Sequence, residues 1–63
     1  MKYQYKVLPS EFEDVKRKLS RIAEYKDLGD NTVEVETDDL TLVTAIKCVL
    51  EVDEILVSYS QVG

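Results

Sequence analysis

The chain has 63 residues, 44% of them apolar and 33% charged, with one proline, one cysteine, no histidine and a net charge of −5. That composition describes one small folded domain over residues 1–63 and excludes an intrachain disulfide or a His/Cys zinc set. A core of this size supplies at most roughly 3–5 kcal/mol of net stability, so self-association is the expected reinforcement.

The first element is "KYQYKVL" (2–8), where Tyr3, Tyr5 and Val7 alternate with Lys2, Gln4 and Lys6. This period-two pattern predicts a half-buried strand with the tyrosines facing inward. Pro9 stops it. Ser10 and Glu13 have capping-box spacing, and Phe12, Val15, Leu19, Ile22 and Ala23 form one stripe at helical spacing. This helix is expected to run on to Leu28, with Gly29 at its C-terminal cap. Glu13 and Arg17, and Asp14 and Lys18, stand at i,i+4 on its wet side.

"DNT" reads as a turn, and "TVEVET" (32–37) as a second strand that buries Val33 and Val35. Thr37 or Asp38 is the expected cap of a second helix, Asp39 to Val52. Its apolar residues, Leu42, Val43, Ala45, Ile46, Val49, Leu50 and Val52, span about 180° of the helical wheel, wider than one sheet face needs. The surplus edge, with Leu42, Ala45, Val49 and Val52, is the expected oligomer interface. "VDE" makes a turn, and "EILVSYSQV" (54–62) is the third strand, with Ile55, Val57 and Tyr59 on one face and Leu56, Ser58 and Ser60 on the other.

Strand, helix, strand, helix, strand predicts a two-layer βαβαβ sandwich. Its three-stranded sheet has the first strand central, and both helices lie on one face. The layout resembles a truncated ferredoxin-like domain. Through "NTVEVETDDLTLVTAIKCVLEVDE" it also resembles the second half of the smallest βαβαβ protein of the large ribosomal subunit. That family is expected to be basic and to bind ribosomal RNA. Only Lys47 is basic after Gly29, so neither function nor residues are carried over.

The charge is unevenly placed. Residues 1–28 hold seven basic against five acidic residues, while residues 29–63 hold Lys47 against eight acids. Those acids, Asp30, Glu34, Glu36, Asp38, Asp39, Glu51, Asp53 and Glu54, are the expected surface for a basic partner. This acidity disfavours nucleic-acid binding, which needs clustered cations. Acidic residues at 38 and 39 suit a helix N-terminus rather than a cation site. "DLGDN" lacks the spacing of a calcium loop. Cys48 has no histidine or cation at helical spacing to activate it, so it reads as an inert thiol. "KRKLSR" (16–21) reads as a solvated helix face paired with Glu13, Asp14 and Glu24.

No catalytic, cofactor-binding or metal motif stands in the chain, and a non-enzymatic role without cofactors is expected. No apolar run approaches the ~20 residues of a membrane span, and "MKYQYK" lacks a signal-peptide core, so a cytoplasmic location is expected. Two roles compete. One is an interaction module that self-associates through the second helix. The other is an acidic inhibitor or decoy, of phage or mobile-element type, that docks on a basic nucleic-acid-binding protein.

Overall fold

A computed structural model describes residues 1–62. The elements are β1 (Lys2–Val7), a single 3-10 turn (Pro9–Glu11), α1 (Phe12–Leu19), β2 (Lys26–Gly29), β3 (Thr32–Glu36), α2 (Leu40–Val52) and β4 (Leu56–Val62). Four strands form one antiparallel sheet in the order β2-β3-β1-β4. Each helix joins two strands that flank a third: α1 crosses from β1 to β2 around β3, and α2 from β3 to β4 around β1.

β1 is central, as the handedness of the crossovers predicts, and its tyrosines face inward, as its alternation predicts. Tyr3, Tyr5 and Val7 join Val33 and Val35 in one core with Val15 and Leu19 of α1 and Val43, Ile46 and Leu50 of α2. Both helices therefore cover the same sheet face. Opposite them, Lys2 faces Glu36 and Gln4 faces Glu34 on the open side. Tyr59 packs its ring on Tyr5 at 5.4 Å and on Tyr3 at 6.3 Å between centroids.

The expected three-stranded, truncated layout is not matched, because the first helix is half its expected length. It stops at Leu19. The Ser20 hydroxyl donates to the Arg17 carbonyl (2.7 Å), and the amides of Arg21, Ile22 and Ala23 close a turn on Lys18 and Leu19. A serine side chain that competes for the backbone favours such an ending. Lys26–Gly29 then forms a hairpin with β3 through Asp30-Asn31. Both turn residues have positive φ (+53° and +60°), the primed two-residue turn whose twist matches the strands. Gly29 is thus part of a hairpin and not a helix cap. Its φ of +79° sits where the β2–β3 register shifts.

The caps also differ from expectation. Ser10 lies in the 3-10 turn and makes no capping bond, so the Ser10/Glu13 box does not form. At α2 the cap is Asp39, rather than Thr37 or Asp38. Its carboxylate accepts from the amides of Thr41 (3.0 Å) and Leu42 (3.2 Å), while the Thr37 hydroxyl oxygen accepts from the Asp39 amide (3.0 Å). α2 ends with Glu54 at φ +58°. The Glu54 amide bonds to the Glu51 carbonyl and the Ile55 amide to the Leu50 carbonyl, the paired bonds of a Schellman motif.

β4 carries a further correction. A register shift opposite Lys6 and Val7 breaks its alternation. Ile55 is buried before the strand begins, Leu56 packs partly on the core, and Val57 turns out to solvent (53% exposed). Val57 does not share the inward face with Ile55 and Tyr59.

Candidate functional site

The expected interface residues lie on one side of α2. Positions 42, 45, 49 and 52 fall on a common stripe at 100° per residue. Core packing takes Val43, Ile46 and Leu50 and leaves the stripe largely uncovered: Leu42 is half-buried, Ala45 is exposed, Val49 is 56% exposed and Val52 is 75% exposed. Ile22, in the turn after α1, is 60% exposed across from them.

Between the two helices Ala45, Val49 and Ile22 border a groove of about 140 Å³, which Leu42 and Val52 do not line. Its floor is Val15, Leu19, Ile46, Leu50 and Ile55, its walls Ile22, Ala45 and Val49, and its rim Asp14, Lys18 and Asp53. The groove runs beside α1 from Asp14 to Leu19 and on to Ile22 in the turn after it. Ile22, expected in the core stripe of α1, instead stands exposed at its wall and was the missed signal.

The eight acids of the second half are spread around the molecule. Glu34 and Glu36 lie on the open sheet face. Asp30 sits at the hairpin turn, where its carboxylate meets the Lys6 ammonium at 3.2 Å. Asp38 pairs with the Met1 amino group at 3.1 Å, and Asp39 caps α2. Glu51 stands 3.8 Å from Lys47 on the outer flank of α2. Asp53 and Glu54 end that helix, roughly 20 Å from its N-terminal acids at 1.5 Å per residue. Four of the eight therefore serve a cap or an ion pair, and the eight form no single patch. A second depression, of about 300 Å³, sets Lys2 and Lys26 against Glu24, Glu34 and Glu36 beside Tyr25, so its charges are mixed.

The basic run of α1 is likewise engaged. Lys16 stands 3.0 Å from both Glu13 and Asp27, which ties the helix to β2, and its ammonium lies over the Phe12 ring at 4.3 Å. Hydrogen bonding to Glu13, then to Asp27, raises its pKa above the ordinary lysine value. The Gly29 amide, then Lys16, holds the Asp27 carboxyl below its ordinary range. Asp14 takes Arg17 at 3.1 Å and Lys18 at 3.0 Å, and this bond raises the Lys18 pKa. Asp27, and not Glu24, completes the set of partners.

Cys48 is exposed on the solvent side of α2. Among the described residues, no three His, Cys, Asp or Glu side chains converge in a way that could hold a metal ion. No helix among the described residues is long and apolar enough to cross a membrane. No protein-family model, curated protein or solved structure matches the chain.

Proposed function

We propose that this chain is a non-enzymatic protein-interaction module that self-associates through the apolar stripe of α2. The observation that carries this reading is the exposure of Val49, which lines an apolar groove with Ile22, and of Val52 beside it on the same stripe of α2. Burying such side chains against a second copy contributes roughly 1.5–3 kcal/mol for each one fully covered, comparable to the whole expected stability of the domain. We read the βαββαβ order, with β1 and β3 central, as a full ferredoxin-like layout. That layout leaves the far side of both helices free for partners.

The acidic-decoy reading has weaker support. Asp39 is committed to a cap, and Asp30, Asp38 and Glu51 to ion pairs, so little acidic surface is left unassigned on any one face.

The test is light scattering coupled to size exclusion, over about a hundredfold dilution, for the native chain and for Val49→Glu and Val52→Glu. Both positions are exposed, so the variants are expected to keep the native circular dichroism and run as smaller species. A native chain that is monomeric throughout, or variants that keep its mass, would overturn the proposal.

A further inference from the structure

We infer that the outer edge of β4 is a second self-association surface, on which the β4 of another copy pairs antiparallel to continue the sheet. The inference stands on the edges of the sheet and not on the α2 stripe.

The backbone register identifies the free groups. The Val7 amide donates to the Asn31 carbonyl (2.9 Å) and the Thr37 amide to the Met1 carbonyl (2.9 Å), so the odd-numbered residues of β1 bond toward β3. In an antiparallel ladder the alternate residues then bond to the other neighbour. These are Lys2, Gln4 and Lys6, which lie opposite Val62, Ser60 and Ser58 of β4. The backbone N–H and C=O of Tyr59 and Gln61 therefore point away from the sheet.

The two edges of the sheet are unequal. β2 is guarded in the ways that prevent edge pairing: it is only four residues long, it carries Lys26 and Asp27, and its register is broken before Gly29. β4 has seven residues, "LVSYSQV", and none of them is charged or proline. Its one register shift is at the start, which leaves the stretch from Ser58 to Val62 regular. An edge of this kind templates another strand unless something covers it.

Charge selects the occupant. Each copy carries a net −5, so two copies repel on balance, and an uncharged edge is where that repulsion is least. Residues 55–62 form the longest run without a charge, and a two-fold pairing of β4 with itself sets no like charges face to face. Val57 and Val62, both exposed, would gain cover in that pair.

Amide exchange measured residue by residue tests this. Tyr59 and Gln61 should exchange roughly tenfold or more slowly in concentrated than in dilute protein, while Ser58 and Ser60, bonded to β1, stay slow in both. Gln61→Pro removes an outward N–H without taking a bond from β1. It should halve the mass of the edge-paired species and abolish the slow exchange of Tyr59. Ser60→Lys, which brings two cations together across the edge, should do the same with the fold intact. Fast exchange at Tyr59 and Gln61 in concentrated protein would overturn the inference, as would an unchanged mass in both variants. Loss of mass in Val52→Glu with these two amides fast throughout would support the α2 contact alone.

Discussion

Raising the pH from about 10 to about 12 should destabilise the fold through one side chain, Tyr5. Its ring is fully buried between the sheet and α2, and its hydroxyl donates to the Val43 carbonyl at 3.3 Å. Burial first, then the neighbouring Tyr59 and Tyr3, pushes its pKa up to about 12. In the unfolded chain a tyrosine titrates near about 10. Across that window the unfolded chain gives up the proton while the folded state keeps it. The unfolded state then binds fewer protons, so stability falls as pH rises. At about 1.4 kcal/mol per pH unit, the loss is roughly 2–3 kcal/mol by the upper end of the window. That is a large share of the ~3–5 kcal/mol expected of a core this size.

Urea unfolding followed by circular dichroism at about pH 8, 10 and 11.5, with reductant to protect Cys48, measures this against Tyr5→Phe. Near neutral pH the variant loses one long hydrogen bond, worth less than about 1 kcal/mol, and leaves no unpaired donor behind. The raised lysines, Lys16 and Lys18, titrate alike in both proteins and cancel in the comparison. The native chain should lose its advantage over the variant above about pH 10 and fall below it by about pH 11.5. A stability difference that stays constant across the window would refute the reasoning.

Two further outcomes follow from the ends of α2. Asp39→Ala removes the acceptor of two backbone amides and should cost about 1 kcal/mol, whereas Asp38→Ala, whose carboxylate is exposed, should cost less than about half of that; equal effects in urea unfolding would contradict the assignment of the cap. Glu54 holds a left-handed conformation that costs an L-residue roughly 1–2 kcal/mol, partly offset in glycine by greater unfolded-state freedom, so Glu54→Gly should stabilise by about 0.5–1 kcal/mol. A lower urea midpoint for Glu54→Gly would show that its side chain contributes more than the backbone strain costs.

Much of the architecture is local in origin and legible in the residues. The alternation in β1 and β3 sets which side chains face the core, because a strand has a period of two whatever its partners. The stripe at 43, 46 and 50, with an acidic cap before it, makes α2 a helix under the same logic. The surplus stripe at 45, 49 and 52 is visible in the same way. Residues 20–29 were not decidable locally. Ile22 and Ala23 continue the helical stripe of α1, while "KDLGDNT" also suits a hairpin, and the sequence contains both. Tertiary structure chose between them. β3 would otherwise present an open edge, and Lys26–Gly29 satisfies its backbone groups, with Asp27 held by Lys16. The packing of α1 and α2 side by side on the sheet set the groove between them. Pairing likewise placed the bulge that turns Val57 outward, and it made β4 an uncharged edge. Periodicity describes one segment at a time, whereas edges, bulges and grooves depend on which segments meet.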